Sequence, residues 1–566
     1  MIPITRRLAA LLLLAAGWIS AQRVVMVSFD GLGYQTFTKD PVAAELTVLR
    51  DTSRRGVTAE GMQAAFPSTT ANSHAALWTG CYGDANHITA NAPPVLPRAG
   101  HTSLERGNGF RATQLASETI WVTAAKAGLP AVAHQPTQGF PFTPMNSAPG
   151  AVVVNGYQTE MLAPHALWTQ AGGAKQADGS WVFRHGPAAF RVERLKSGLR
   201  ITEQSSRASV TVRAEPLEAE PPRRRALARR FSAGLHVAGP KPAVLYFRLF
   251  SLTAGDFRLY VTPWHELGMS VPAPEIFQAA GGFIGNGPHA LLAGGKISEE
   301  EYLEAMELVI RQLTRHAAWL DRRFHPRFLQ SYLPFPDEID HEWLPAARAG
   351  SAAHQRWRRW GYIAVDRGAA EFAKLAGKSD YLLWVSDHGM APVDKSVAVG
   401  KVLKDAGLDG SASYLYNSIL VNTADWKGGS VPLENRAAVV EQARRALSAV
   451  PAITEFFTPE QHGAQYGIGG PAGGDLYFDL APGYAASPRT TGALIETFKP
   501  RGVHGFLPAR EDMQAICILA GPGVAPASRW PRIRSVDVAP LIADLLGIAP
   551  AAGTQGVSPR RARAGR

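Results

Sequence analysis

The run Val24–Phe29, VVMVSF, shows no alternation of polar and apolar residues and stops abruptly at Asp30-Gly31. An unbroken β-branched run of this length marks a strand buried on both faces, and such strands belong to parallel sheets covered by helices. Two more runs share the pattern: YLLWV at 381–385, ending at Ser386-Asp387-His388-Gly389, and QAICIL at 514–519, ending at Gly521-Pro522-Gly523. Between them, residues 298–324 carry a capping box, Ser298 with Glu301, followed by Tyr302, Leu303, Met306, Val309, Ile310 and Leu313 at helical spacing. Strands alternating with helices predict an α/β fold, a central, mostly parallel sheet with helices on both faces. In such sheets ligands sit beyond the carboxyl ends of the strands, so the residues just after these runs are the first candidates for chemistry.

Residues 150–295 break the pattern. Short alternating segments at 190–195, 199–204 and 210–217 precede the basic patch EPPRRRALARR, which predicts an inserted β-containing cap between segments 22–149 and 296–550. The Ala/Gly/Arg-rich stretch 551–566 is expected to be a disordered basic tail. Residues 1–21 run from basic MIPITRR through an apolar core to ISA, the order of a secretory signal, with cleavage expected after Ala21. The expected location is therefore periplasmic or secreted, with no membrane span in the mature chain, the apolar part being short for a bilayer. A 46% hydrophobic, 19% charged composition excludes a low-complexity or collagen-like chain, and two cysteines exclude a disulfide scaffold. The net charge of +11 gathers partly at the two ends, and no nucleic-acid-binding module accompanies it. Cys81 and Cys517 read as small buried hydrophobes, and His74, His87 and His265 as structural histidines.

Asp30, Asp337 and Asp387 each follow an apolar segment, and with His341, His388 and His504 they make an oxygen-and-nitrogen set suited to zinc or a similar divalent ion. Asp337 and His341 lie four apart, so a single helical turn points both into one site. Adjacent Asp387 and His388 converge only if their loop bends sharply, and the glycines flanking His504 permit such a bend. In FPSTTANSHAALWTG, 66–80, a Thr/Ser cluster precedes a small-residue helix. A hydroxyl there meets the anion-favouring helix N-terminus, although an ordinary N-cap reads the same way.

Taken in order, VSFDG at 27–31, FPSTTANSHAALWTG, ETIWVTAAKAGL at 118–129, PDEIDH at 336–341, SDHGM at 386–390, VHGFLP at 503–508 and VDVAPLIADLLGI at 536–548 resemble the alkaline phosphatase superfamily, and within it the type I phosphodiesterase/nucleotide pyrophosphatase family. The resemblance implies two zinc ions, one on Asp337, His341 and His504, the other on Asp30, Asp387, His388 and the Thr70 oxygen. It implies Thr70 as nucleophile, with Thr69 the alternative because Ser73 replaces the usual Asn, and Asn91 as donor to the phosphoryl oxygen. The expected substrate is a small phosphate ester. Two zinc ions against three carboxylates and an alkoxide leave the core near neutral, which favours a singly charged diester. Phosphomonoesterase, phosphonate hydrolase and a non-catalytic binding protein remain alternatives, whereas the sulfatase nucleophile pattern is missing. Oligomeric state is not predicted.

Overall fold

The computed structural model describes residues 22–217 and 229–561. The expected signal segment, most of the basic patch and residues 562–566 fall outside them. A nine-stranded sheet runs through the molecule: β1 Val24–Phe29, β2 Val57–Ala59, β3 Ala131–His134, β4 Ala151–Asn155, β5 Gly268–Met269, β6 Phe328–Leu333, β7 Tyr381–Val385, β8 Cys517–Ala520 and β9 Ser528–Trp530. Their spatial order is β5-β4-β3-β6-β1-β7-β8-β2-β9. Five central strands, β4, β3, β6, β1 and β7, are mutually parallel, and β8 and β5 run against them. The sheet is thus mostly parallel, as the unbroken apolar runs predict.

Alternate residues of β1 feed two separate cores. Val25, Val27 and Phe29 meet helices α2 (Glu299–Phe324) and α4 (Ala352–Ala373), while Val24 and Met26 face α1 (Thr70–Thr79) and α5 (Val538–Leu546). Burial on both faces explains why polar residues are scarce in the strand. The capping box of α2 forms as its spacing predicts, with Ser298 Oγ accepting from Glu301 N at 3.2 Å. Helix α3 (Asp337–Arg348) follows β6 directly. Its Asp340, fully buried, points away from the strand ends to Arg358 of α4, at 2.6 and 3.1 Å, and to the Tyr362 hydroxyl at 2.8 Å. That ion pair ties α3 to α4.

The insertion is β-rich as expected, but its boundary moves. β4 and β5, inside 150–295, belong to the central sheet. The extra structure lies between them: a five-stranded antiparallel sheet over residues 174–213 packs on strands 247–252 and 257–261 around Trp168, Phe183, Phe190 and Phe257. The C-terminal stretch is also corrected. Residues 551–561 are not a loose tail, because Gly553 O accepts from Cys81 Sγ, Gln555 bonds Gly80 and Tyr82, and Ser558 is buried against Asp544. Specific side-chain bonds hold this stretch where composition alone offers no packing signal. Both cysteines are buried and unpaired. Among the described residues no helix is long and apolar enough to cross a membrane.

Candidate metal and phosphoryl site

Asp30, Asp337, Asp387 and His388 sit just beyond strands that end at one edge of the central sheet, His341 lies one turn into α3, and His504 comes from a separate three-stranded sheet. Asp30 follows β1, Asp387 and His388 follow β7, Asp337 opens α3 after β6, and His504 follows the strand Ile495–Val503. Gly31 makes the first of these turns possible: its φ is +69°, and a Cβ there would lie 2.8 Å from the Asp337 Cα. Gly502 is needed for a similar reason, since a Cβ would reach Asp340 O at 2.3 Å.

Asp337, His341 and His504 form one cluster and Asp30, Asp337 and His388 another, each with its ligand atoms within 4.8 Å of one another. His341 Nε2 lies 3.2 Å from Asp337 Oδ2, and His504 Nε2 lies 3.8 Å from Asp337 Oδ1. His388 Nε2 stands 3.1 Å from Asp387 Oδ2 and 3.5 Å from Asp30 Oδ1. The His388 and His504 rings stack at 3.8 Å, which brings the two clusters side by side.

The hydrogen bonds fix the tautomers. The Nδ1 of His341 contacts Gly502 O at 2.6 Å, that of His388 contacts Gly389 O at 3.0 Å, and that of His504 contacts Ser68 O at 3.0 Å. A carbonyl only accepts, so each Nδ1 carries a proton, and in the neutral ring each Nε2 presents a lone pair to the site. On the acidic side, Asp30 Oδ1, Asp337 Oδ1 and Asp387 Oδ2 are buried without a hydrogen-bond partner, while the opposite oxygens of Asp30 and Asp387 are held by the Tyr332 hydroxyl and the Gly31 amide. Three unpartnered carboxylate oxygens facing three imidazole lone pairs fit divalent cations.

The proton affinities say the same. Burial pushes the Asp30 carboxyl well above the usual range, with Asp387 and Asp337 adding to the effect. Burial also opposes charge on His388, but Asp387 outweighs it and raises that imidazole. His504, buried and next to His388, is driven down to about 3. Without a cation the cluster must share protons to offset three crowded carboxylates.

Thr70 is the first residue of α1, and its Oγ1 lies 3.1 Å from His388 Nε2. The Thr69 hydroxyl turns instead to Asn72 Oδ1 at 2.5 Å. Asn91 accepts the Ala71 amide through Oδ1 at 2.9 Å, which leaves its NH2 as the remaining donor beside Thr70. His74, read from the sequence as structural, stands in the wall of the site, with Nδ1 3.3 Å from Asp387 Oδ2. Its ring is already engaged, since Nδ1 donates to Thr70 O at 3.0 Å and Nε2 accepts from the Ser28 hydroxyl at 2.8 Å. It therefore steadies the α1 turn that carries Thr70. The four-residue spacing from Thr70 was the available signal. Tyr332 and Ser28 had none, being one more polar residue in an apolar strand each.

The site opens into a cleft of about 480 Å³ walled by Thr69, Asn91, His341, Tyr414, Phe498 and Arg501, among others. Among the described residues, none of 150–295 lines it. That stretch reaches the site from behind, where Gly287 N and His289 Nε2 bond Glu338 of α3 at 3.0 and 2.7 Å. A larger hollow of about 970 Å³ beside Asp394 and Asp512 contains none of the candidate residues.

A sequence profile of the type I phosphodiesterase / nucleotide pyrophosphatase family matches residues 24–182 and 295–507, more than half of the chain, and the unmatched gap falls in the insertion. Among solved structures, two of murine ectonucleotide pyrophosphatase / phosphodiesterase 5 (ENPP5, NPP5) align over 94% of this chain and 96% of theirs, with 13% identity and a TM-score of 0.50; one is an inactive variant in complex with AMP. The human protein of the same name aligns at 14% identity over 93% of this chain and 96% of its own, with a TM-score of 0.49. At such identities the murine likeness speaks for the fold. No curated protein matches the sequence.

Proposed function

The chain belongs to the type I phosphodiesterase / nucleotide pyrophosphatase family of phosphoric ester hydrolases, and from that premise we propose that it is an exported, two-zinc phosphodiesterase that works through a covalent phospho-threonine on Thr70. The observation that carries the reading is the clustering of three unpartnered carboxylate oxygens with the Nε2 atoms of His341, His388 and His504, with the Thr70 hydroxyl 3.1 Å from His388 Nε2. Asp337, His341 and His504 would hold one ion and Asp30, Asp387 and His388 the other. Bound there, the pair would lower the pKa of the threonine hydroxyl and offset charge on the phosphoryl group.

The chain's own residues then account for the reaction. Thr70 Oγ attacks phosphorus, a P–O bond forms, and the ester oxygen leaves with its electron pair. The Asn91 amide donates to a phosphoryl oxygen, and His74 holds the turn that aims Thr70. In the second step water attacks phosphorus, the Thr70 Oγ–P bond breaks and the water's proton passes to the threonine oxygen, so two inversions give net retention at phosphorus. Among the described residues Arg501 is the one arginine or lysine lining the cleft. A neutral metal core with a single added cation suits a monoanionic diester better than a dianionic monoester. AMP in the murine relative makes nucleotides the first substrate class to try. Initial rates of the zinc-loaded protein on aryl diester, aryl monoester and phosphonate panels test the proposal. A monoester preference would move the activity to phosphomonoesterase, and no turnover of any panel would leave a binding protein.

A further inference from the structure

Beside the cleft over the ligands lies a second opening of about 940 Å³, and the two share Tyr414, Tyr416 and Ala486 as a common wall. Asn91 lines the first and its neighbour Ala92 the second. The groove begins where the phosphoryl donor ends. Its lining is mostly apolar, with Leu403, Leu415 and Leu104, whose side chain is 69% exposed.

Two features point to a ligand. Tyr416 and Asn417 occupy the turn between Leu415 and Ser418, which bond each other N to O at 2.8 and 2.9 Å, and both central residues are left-handed, at φ +39° and +50°. Glycine meets that conformation freely, whereas a tyrosine there costs roughly 1–2 kcal/mol. The turn keeps an aromatic ring at the junction of the two openings against its own backbone preference, a pattern found at ligand sites. The second feature is Arg106. It is half-buried in the groove and donates to the Ser103 and Glu105 carbonyls at 2.7 and 3.3 Å, with no carboxylate partner among the described residues. A desolvated guanidinium served by carbonyls alone has unused capacity for an anion. Gly109 N bonds Asn91 O and Pro94 bridges Arg106, so the segment carrying Arg106 is paired with the loop that carries Asn91.

We propose that this groove is a substrate subsite for an ester substituent with a flat apolar body and an anionic end, the body packing on Tyr416 and Leu104 and the anion pairing with Arg106. The assignment rests on the phosphodiesterase reading and narrows its substrate class to diesters carrying a second negative charge beyond the scissile phosphate.

Calorimetric titration of the zinc-loaded full chain with thymidine 3′,5′-bisphosphate and with thymidine 5′-monophosphate tests it. The bisphosphate should bind roughly tenfold tighter, the size of one charge-assisted contact. Arg106→Gln should abolish that preference, and Arg106→Lys should keep most of it. Tyr416→Gly relieves the left-handed strain, so it should leave the unfolding temperature equal or higher while weakening both nucleotides several-fold. Equal binding of the two nucleotides by the wild type, binding of neither, or a Tyr416→Gly protein that binds as well as wild type would each overturn the subsite. Turnover of methyl p-nitrophenyl phosphate is measured separately: its absence alongside an intact Arg106-dependent preference would sink the activity and leave the groove.

Discussion

Thr70→Ala and Thr69→Ala form a pair that separates chemistry from capping at neighbouring positions. The Thr70 hydroxyl faces His388 Nε2 at 3.1 Å, and removing it deletes the attacking oxygen while the six Asp and His ligands stay in place. Loss of a covalent nucleophile costs on the order of four decades in kcat, about 5 kcal/mol of barrier. Thr69 loses only its 2.5 Å bond to Asn72, whose Nδ2 remains anchored on Pro67 O at 2.7 Å. That is about 1 kcal/mol of stability, a shift of about 2 °C in Tm for a chain of this size, with activity down by less than about tenfold. Steady-state rates on an aryl diester, zinc content and thermal unfolding of both variants give the comparison. The reasoning fails if Thr69→Ala is the dead variant, or if Thr70→Ala keeps near-normal turnover with zinc bound.

The zinc-loaded protein should carry about two equivalents by elemental analysis, since the proposed reading gives each ion three Asp and His ligands; full activity with one equivalent or none in strong chelator would remove the two-metal reading. Arg358→Met should destabilise the fold by about 3–5 kcal/mol in denaturant titration, because it strands the Asp340 carboxylate in a site with no solvent exposure. A change below about 1 kcal/mol would mean that water reaches Asp340. Gly31→Ala should lower zinc affinity more than ten-fold, as its Cβ would press on the Asp337 backbone from 2.8 Å; unchanged affinity in a metal-competition assay would show that the turn yields cheaply. Mature protein from the native host should begin at or near Gln22 by N-terminal sequencing, and intact Met1 in membrane fractions would favour an anchor.

The sequence by itself determined the type of the elements at 24–29, 298–324, 381–385 and 514–519 and the identity of the ligand candidates. Unbroken runs such as 24–29 and 381–385 can satisfy their burial in only one kind of sheet, and the Ser298 box and the Asp337–His341 spacing are written within a single turn of helix. These signals are local, so they survive without knowledge of the fold. Tertiary structure decided what meets what. His504 comes 163 positions after His341, and its place beside Asp337 depends on how the strand 495–503 packs against α3, which no short-range pattern encodes. The same holds for His74, whose second role appears once β1 and β7 bring Ser28 and Asp387 against its ring. Composition misjudged 551–561 because a few specific bonds, rather than an apolar face, hold that stretch down. The cleft walls at 414–417 and 485–506 carried no sequence signal of their own. Loops follow the long-range packing of the elements they join, and their own residues carry little of that information.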